Sequence, residues 1–318
     1  MAVHFSNRMY YNNAICWNNL YKTNTTRNVS VFPIFKVKPF SVKMYSNMIS
    51  NQSAGNPLNS NFGGSSETTR VTSFYNWLAG LIDGDGYFGI SKNKYISCEI
   101  TLKNSEYNAL AKIKAQFGGS IKIRTGTNSV RWRLHNKTGI IKLVHALNGR
   151  ILNPTRIAQF EKVCKLLNIK IKQNNDIKNT VLNGWFTGFF EAEGCFYINK
   201  NNFIMAISIG QKNRYLLDII KTCFEVGNVY YDSNWKGFCW YLNSKNDLEI
   251  IMNHLKKIPF LSKIKSAELK SFARIFLYKL RDYHKPSNPK HLYFKRYLNN
   301  FWRRKVIIKK EEDIVQII

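Results

Sequence analysis

Apolar residues recur with helical spacing in two segments of this chain, and each segment runs into a pair of acids followed by glycine. The two segments read WLAGLIDGDGYFGI at 77–90 and WFTGFFEAEGCFYI at 185–198, 108 positions apart. The same spacing relates further residues, namely Gly119 with Gly227, Trp132 with Trp240, Leu134 with Leu242, Lys137 with Lys245, and Leu147 with Leu255. A self-similarity at a fixed spacing indicates an internal duplication.

Within each repeat the pattern predicts a helix, two strands, a helix, two strands and a helix. In the first repeat Ser73 can cap the motif helix, and Phe88 and Ile90 alternate as a strand. Residues 107–117 have helical spacing, and 121–134 alternate apolar and basic residues around a loop rich in Thr, Gly and Asn. The pattern therefore predicts an α+β protein built of two αββαββα lobes.

Changes in composition divide the chain into five parts. We predict a leader or linker at 1–70, a first lobe at 71–167, a connector at 168–180, a second lobe at 181–276 and a basic, aromatic tail at 277–318. The first part is poor in acids and ends in a stretch of Asn, Ser and Gly. It is interpreted either as a mitochondrial targeting peptide or as a translated remnant of an upstream reading frame.

The charge balance favours a polyanionic partner. The 318 residues include 48 Lys and Arg against 19 Asp and Glu, a formal net charge of +29. Nucleic acid is favoured over a membrane, because charged or polar residues interrupt every apolar run before the roughly 18 residues that a membrane span needs. The six cysteines contain no Cys-x-x-Cys pair, which argues against a zinc site or a disulfide framework.

The two motifs place small residues and acids at equivalent positions. Gly80 and Gly188 lie inside otherwise apolar helices, where a close approach of two helix backbones would offset the cost of glycine. If the helices pack side by side, Asp85 and Glu193 project from one joint end. That arrangement suits a hard divalent cation, Mg²⁺ or Mn²⁺. The alternative is a pair of solvated acids that end two helices.

Both motifs resemble the signature of the LAGLIDADG family of homing endonucleases and intron maturases, and the resemblance covers about 71–276. It implies a monomer with two pseudo-symmetric αββαββα lobes, whose antiparallel sheets form a saddle over double-stranded DNA, with the motif helices at the lobe interface. It also implies that Asp85 and Glu193 bind the catalytic metal ions. Asp83 and Glu191, the earlier acids, are then expected to have a structural role at the helix ends.

The resemblance extends to residues that would assist catalysis. Gln211, after a predicted strand of the second lobe, resembles the family's water-ordering glutamine, and its expected counterpart in the first lobe is the shorter Asn104. Lys137 and Lys245 resemble the family's lysine near the scissile phosphates, where a lysine could stabilise transition-state charge or assist proton transfer. The alternative, that both are ordinary surface lysines, is equally open.

The alternation of the first hairpin predicts a basic sheet face. Ile121, Ile123, Val130, Trp132 and Leu134 are expected to face the core, which puts Lys122, Arg124, Arg131 and Arg133 on the opposite face. Arginine on a two-stranded ribbon can read guanine in the major groove. The second lobe offers a different set of DNA contacts, namely Tyr230, Tyr241, Lys212 and Arg214, with Asp232 and Cys239 also facing outward. We therefore expect a long, asymmetric target; an ordinary solvated sheet face is the alternative.

These observations predict a site-specific, metal-dependent double-strand DNA endonuclease encoded within an intron. The alternative is an RNA-binding maturase that assists splicing of its own intron, alone or as a second activity. The tail contains Tyr293, Tyr297, Phe301 and Trp302 at helical offsets among many basic residues, so we expect a helix that packs on the protein and contacts nucleic acid. The abundance of Asn, Lys, Ile, Tyr and Phe suggests an AT-rich genome, and hence a mitochondrion.

Overall fold

The computed structural model describes residues 67–314, so nearly all of the predicted leader lies outside the described residues. The first motif helix, α1, spans Glu67–Asp85. It begins six residues before Ser73, which was predicted to cap it. Ser73 is instead buried inside the helix, on the side where its carbonyl oxygen approaches the backbone of the second motif segment. Packing between the two segments therefore extends α1 beyond its expected start.

The second motif helix is interrupted, whereas the first is continuous. A short helix, α5 at Ile177–Thr180, leads into a kinked turn at Val181–Trp185 and then into α6 at Phe186–Glu193. Gly184 has φ = 125°, a conformation that glycine adopts readily. The kink frees the carbonyl oxygen of Asn183, and the side chain of Asn76 in α1 donates a hydrogen bond to it at 3.1 Å.

Each lobe contains a four-stranded antiparallel sheet followed by two helices. The first lobe comprises β1 (Gly86–Ile90), β2 (Ile96–Lys103), a 3-10 turn (Asn104–Glu106), α2 (Tyr107–Phe117), β3 (Ser120–Arg124), β4 (Ser129–Leu134), α3 (Lys137–Leu147) and α4 (Pro154–Leu166). The strand order is β1-β2-β4-β3. The predicted α+β architecture is confirmed, with α4 as an additional helix.

The second lobe repeats this arrangement. After α6 it comprises β5 (Gly194–Ile198), β6 (Met205–Gln211), α7 (Tyr215–Phe224), β7 (Asn228–Asp232), β8 (Gly237–Leu242), α8 (Lys245–Lys257) and α9 (Lys263–Leu280). Its strand order is β5-β6-β8-β7. The basic tail forms one further helix, α10, at His291–Ile314. No helix within residues 67–314 combines the length and apolar character needed to cross a bilayer.

The strand registers correct one predicted equivalence between the lobes. Gly86 lies opposite Ile100 in the first sheet, and Gly194 lies opposite Ile209 in the second. The offset between the lobes is therefore 109 positions in β2 and β6, because the β5–β6 loop is one residue longer. Gln211 consequently matches Leu102 and not Asn104.

The motif helices form the seam between the lobes, as their small residues predict. A methyl group added to Gly80 would overlap the carbonyl oxygen of Trp185, and one added to Gly188 would overlap that of Trp77. Trp77 and Trp185 are themselves fully buried beside this contact. Glycine at both positions therefore lets the two backbones touch, and the prediction of adjacent motif helices is confirmed.

One residue of the first hairpin was assigned to the wrong environment. Val130, Trp132 and Leu134 are fully buried, as expected, but Ile123 is 70% exposed. Ile123 lies near the end of β3, an edge strand with a hydrogen-bonded neighbour on one side only. Strict alternation therefore overestimates the reach of the core at this edge.

Candidate active site and nucleic-acid interface

Two carboxylates meet where the motif helices end. Asp85 is the last residue of α1 and Glu193 is the last residue of α6. The two helices pack closely here, because a methyl group added to Gly84 would overlap the side chain of Ala192 and approach that of Glu193. Burial raises the pKa of Asp85 well above its ordinary value, and the negative charge of Glu193 raises it further. The two acids therefore form one electrostatic site.

Two cations that sequence reasoning missed face this site. Arg156, in the first turn of α4, donates hydrogen bonds to the carbonyl oxygens of Ile82 (3.3 Å) and Gly84 (3.4 Å) near the end of α1. Lys265, in the first turn of α9, donates to the carbonyl oxygen of Gly194. Both cations lower the pKa of Asp85, against the effects of burial and of Glu193.

A signal for this pair was present in the sequence. Arg156 and Lys265 are 109 positions apart, the same offset that relates the first residues of their helices, Pro154 and Lys263. Each is a basic residue in the first turn of the helix that ends its lobe. A search of the duplication for matched basic residues, in addition to matched acids, would have found them.

The earlier acid of the first motif has the structural role that was expected of it. Asp83 is buried, and one of its oxygens, Oδ2, accepts hydrogen bonds from the backbone N–H of Leu152 (2.7 Å) and from the indole N–H of Trp185 (2.8 Å). Leu152 belongs to the same lobe and Trp185 to the other. Burial raises the pKa of Asp83 to about 7, although these hydrogen bonds lower it.

Glu191 makes the equivalent contacts in the second motif. Its Oε1 accepts hydrogen bonds from the backbone N–H of Leu261 (2.6 Å) and from the indole N–H of Trp77 across the seam (3.1 Å). Its other oxygen accepts from the backbone N–H of Ser262 at 3.3 Å. Burial raises the pKa of Glu191 to about 8. Each earlier acid therefore ties the opposite motif helix to the entry of its own lobe's last helix.

The joint helix end can accept a divalent cation. Asp85 and Glu193 supply the oxygen ligands that Mg²⁺ prefers, and their mutual repulsion is relieved when a cation binds. Among the described residues there is no cluster of three or more His, Cys, Asp or Glu side chains with metal-binding geometry. The carboxylate pair is thus suited to a metal ion that takes its remaining ligands from water and phosphate.

The strand registers lead β4 and β8 away from the carboxylates before the chain reaches Lys137 and Lys245. Both are exposed first residues of a helix, in α3 and α8 respectively. In the first sheet, Asp85 comes directly before Gly86, the first residue of β1. The last residue of β4, Leu134, pairs with Cys98, which in turn pairs with Phe88, farther along β1 from Asp85. Lys137 follows beyond that point, so it lies toward the end of the sheet that points away from Asp85.

The water-ordering candidates lie at the nearer end of the sheets. Gln211 ends β6, two residues past Ile209, which is opposite Gly194 at the start of β5. Asn104 begins the 3-10 turn after β2, four residues past Ile100. The Oδ1 atom of Asn104 is buried and has no hydrogen-bond partner among the described residues. Both residues therefore lie at the end of the sheet where the carboxylates lie.

The outward face of the first sheet carries the predicted basic residues. Lys122 lies opposite Arg131 on neighbouring strands, and Arg124 ends β3. Sequence reasoning missed one acid on this face. Glu99, on β2, forms ion pairs with Arg131 (3.2 Å) and with Arg133 (2.9 Å).

The predicted contacts of the second lobe are more varied. Lys212 donates to the carbonyl oxygen of Trp235 and lies 5.1 Å from the centre of its ring, and Arg214 pairs with Asp218 at 2.9 Å. Tyr230 is 54% exposed, whereas Tyr241 is partly covered, and burial raises the pKa of its hydroxyl.

The tail helix covers part of the outward face of the second sheet. Tyr197, on the outward face of β5, is only 4% exposed, and the ring of Trp302 from α10 packs edge-on against it at 6.3 Å between centroids. The charged group of Lys200 lies 5.1 Å from the centre of the Trp302 ring. In the first lobe, Tyr87 on β1 remains 50% exposed. The packing role predicted for the tail is thus observed, and it closes part of the second face.

These features define a class of two-lobe α+β proteins in which each lobe ends its seam helix with an acid, beside a basic sheet face. Two segments of the chain, 78–167 and 186–276, match the sequence model of the LAGLIDADG endonuclease family. Together they cover more than half of the chain. The protein belongs to this family.

Relatives with curated names are intron-encoded proteins. The chain is 46% identical over 192 residues to the intron-encoded RNA maturase bI4 of Saccharomyces cerevisiae, which covers 58% of this chain and 30% of the yeast protein. It is 33% identical over 193 residues to the intron-encoded DNA endonuclease ai2b of Dictyostelium discoideum, covering 58% of this chain and 72% of that protein. The match thus spans less than a third of the yeast protein's length.

Solved structures share the fold at low sequence identity. The LAGLIDADG meganuclease I-CpaMI, bound to uncleaved DNA, matches with a TM-score of 0.55 and 14% identity, covering 70% of this chain and 97% of that one. The I-LtrWI LAGLIDADG homing endonuclease, bound to target DNA, matches with a TM-score of 0.52 and 15% identity over 73% of this chain and 96% of that one. The two-lobe architecture is therefore that of known LAGLIDADG proteins.

Proposed function

We propose that the protein is a site-specific DNA endonuclease that cuts both strands of a duplex and requires Mg²⁺ or Mn²⁺. The observation that carries this proposal is the joint helix end, where Asp85 and Glu193 meet beside Arg156 and Lys265. A protein with a large excess of positive charge has placed two electrostatically interacting acids at the centre of its duplication. A reaction centre for phosphodiester hydrolysis explains that placement.

The residues of the site have separate roles in this proposal. Asp85 and Glu193 would hold the metal ion, which supplies a hydroxide nucleophile and stabilises the leaving oxygen. Arg156 and Lys265 favour the ionised form of Asp85 and so keep it competent to bind a cation. Gln211 would order the attacking water, with Asn104 in a lesser role. For Lys137 and Lys245, their exposure and the strand registers favour the role of surface lysines.

The sheet faces would hold the duplex. Lys122, Arg124, Arg131 and Arg133 of the first lobe suit a major groove, and Lys212, Arg214, Tyr230 and Tyr241 would contact the other half of the target. Because the two sets differ in charge, the target is asymmetric. Both lobes belong to one chain, so a monomer suffices for cleavage of both strands.

The test is a cleavage assay on a randomised duplex library and on intronless alleles of candidate host genes. Asp85→Asn and Glu193→Gln should retain binding but lose cleavage by at least about a thousandfold, a loss of ~4 kcal/mol in transition-state stabilisation. Glu161→Gln, at an exposed acid of α4, is the matched control and should cut normally. Normal cleavage by either motif variant would overturn the proposal, and so would cleavage that chelators leave unchanged.

A second candidate function rests on the yeast relative, which is named an RNA maturase and is 46% identical over its match. We infer that this chain also supports, or instead performs, splicing of its own intron. Salt-dependent binding cannot separate the two functions, since both ligands are polyanions. In a splicing assay with the host intron, Asp85→Asn should remain active if the RNA function is independent of the metal site.

We further propose that the protein is encoded within an intron and acts in a mitochondrion. The named relatives are intron-encoded, and the composition suggests an AT-rich genome. Imaging of the tagged protein, together with mapping of its gene relative to intron boundaries, tests both statements. A nuclear or cytosolic signal for the full chain would contradict the assignment.

A further inference from the structure

A single carboxylate on the outward face of the first sheet holds two arginines at once. Glu99 Oε1 lies 2.9 Å from Nε of Arg133, and Glu99 Oε2 lies 3.2 Å from Nη1 of Arg131. Glu99 is directly opposite Arg133 on the neighbouring strand, and Arg131 is diagonal to it. The Glu99 side chain is 21% exposed, so it sits lower on this face than the arginines at 37% and 50%.

The atoms that Glu99 engages leave each arginine able to recognise a base. A guanidinium group offers two edges with a pair of N–H donors, one formed by Nε and Nη2 and one by the two Nη atoms. Arg131 is held through Nη1, so its Nε and Nη2 edge remains available. Arg133 is held through Nε, so the edge formed by its two Nη atoms remains available. Either edge can donate two hydrogen bonds to O6 and N7 of guanine.

The spacing of the two arginines matches that of DNA. Arg131 and Arg133 are two residues apart on β4 and face the same side, which separates them by about 6.8 Å at ~3.4 Å per residue. Base pairs along a strand of B-DNA are also about 3.4 Å apart. The two available edges therefore fit two guanines separated by one base pair.

Glu99 also restrains the arginines from contacts that carry no sequence information. Without it, two like charges at adjacent positions of one face would repel, and each long side chain could turn toward phosphate. The equivalent position in the second lobe is Ser208, opposite Tyr241, and there is no arginine there to hold. The device therefore belongs to the first lobe alone.

We propose that Glu99 is a specificity-determining positioning residue, which holds Arg131 and Arg133 as a rigid pair for two guanines in the major groove. The proposal rests on the proposed DNA-binding function and deepens it. It concerns which sequence the first lobe prefers, and not whether the site cleaves.

The experiment is selection from a randomised duplex library in the absence of divalent metal, followed by sequencing of the bound DNA. The unmodified chain is expected to enrich guanine at two positions separated by one base pair. Glu99→Gln should lower that preference by about tenfold at each position, while its overall affinity for unselected DNA rises and its salt dependence steepens by about one unit. Arg131→Lys and Arg133→Lys, which keep the charge, should each lose the preference at one position.

Glu225→Gln is the matched control, because it removes the same charge from an exposed ion pair with Lys178 at 3.4 Å, outside the sheet face. It should leave the selected sequence unchanged. Thermal unfolding of every variant separates loss of the fold from loss of preference. If Glu99→Gln selects the same bases with the same strength, the inference about Glu99 is wrong while the proposed function stands. If the unmodified chain enriches no sequence at all, the proposed function fails and this inference falls with it.

Discussion

At the scale of the residue, the two acids of each motif are separated by one position and differ completely in their surroundings. Asp83 and Glu191 are bound by indole and backbone N–H groups, whereas Asp85 interacts electrostatically with Glu193 and with two cations. The alternative that Asp85 and Glu193 are solvated acids ending two helices does not fit the burial that raises the pKa of Asp85. Helical geometry produces the difference, because residues two positions apart point to different sides of a helix.

The indole contact with Asp83 gives a stability prediction. Trp185→Phe removes the donor to Asp83 Oδ2 and leaves a buried carboxyl with fewer partners, so we expect a loss of about 1–3 kcal/mol in unfolding free energy beyond the effect of volume. Trp240→Phe is the matched control, since that indole donates to a neutral backbone carbonyl, of Val226, at 3.0 Å. Urea denaturation measures both, and equal losses would contradict a special role for the carboxyl contact.

The raised pKa values of Asp83 and Glu191 give a pH prediction with a definite sign. Folding raises the first from 3.8 to about 7 and the second from 4.5 to about 8, so the folded state binds protons more tightly than the unfolded state. The stability that this proton binding contributes is complete below about pH 4 and is lost as pH rises through 7 and 8.

The double variant Asp83→Asn, Glu191→Gln does not titrate at these positions. Between about pH 5 and pH 9, the unfolding free energy of the wild type should therefore fall relative to that of the variant. Denaturation curves collected at several pH values for both proteins provide the measurement, because all other ionisable groups cancel in the comparison. Parallel pH dependences would show that the two carboxyls do not titrate in this range.

At the scale of the element, the seam between α1 and α6 determines whether the two acids meet. Gly80→Ala and Gly188→Ala would each place a methyl group on a backbone carbonyl that cannot move aside, so we expect each to cost at least about 2 kcal/mol. Gly210→Ala is the control, because its methyl group would lie 3.5 Å from the Trp235 ring, an ordinary contact distance. Calorimetry compares the three, and a harmless Gly80→Ala would refute the close packing of the seam.

The elements also show what the sequence could and could not predict. The helix at Tyr107–Phe117 and the two hairpins follow from local periodicity, and all of them are present. The early start of α1 and the kink at Gly184 do not follow from it, because both depend on contact between two segments about 108 positions apart. Periodicity shows which side of a segment faces the core of its own lobe. It does not show contacts with the other lobe.

The candidate site was predictable to the extent that it repeats. Asp85 and Glu193 were found because the duplication displays them at one offset. Arg156 and Lys265 were missed because the segment between Leu255 and Lys263 is one residue longer than the one between Leu147 and Pro154, which changes their offset from 108 to 109. Glu99 was missed for a different reason: its partners, Arg131 and Arg133, come from a strand more than thirty positions away. Cross-strand ion pairs are fixed by register, which a single sequence does not display.

At the scale of the whole molecule, several acids lie in the lobe interface, which leaves the basic residues in excess on the first sheet face. Asp83 and Glu191 bind within the seam, and Glu106 accepts hydrogen bonds from the hydroxyl of Ser262 (2.8 Å) and the N–H of Ile264 (3.4 Å) in the other lobe. These three acids are bound inside the lobe interface and not on the sheet face. The face of the first sheet therefore keeps most of its charge, and α10 covers part of the second face.

This uneven charge predicts how salt affects DNA binding. A lysine that contacts phosphate contributes about 0.9 to the slope of log affinity against log salt concentration, through release of counterions. Lys122 is exposed on the first sheet face, so Lys122→Ala should reduce that slope by about one unit, measured by fluorescence anisotropy between 50 and 200 mM salt as used for such titrations. Lys178→Ala, at an exposed lysine paired with Glu225 off that face, should leave the slope unchanged. Equal slopes for all three proteins would mean that the duplex does not lie on the first sheet, and the saddle would have to be placed elsewhere on the molecule.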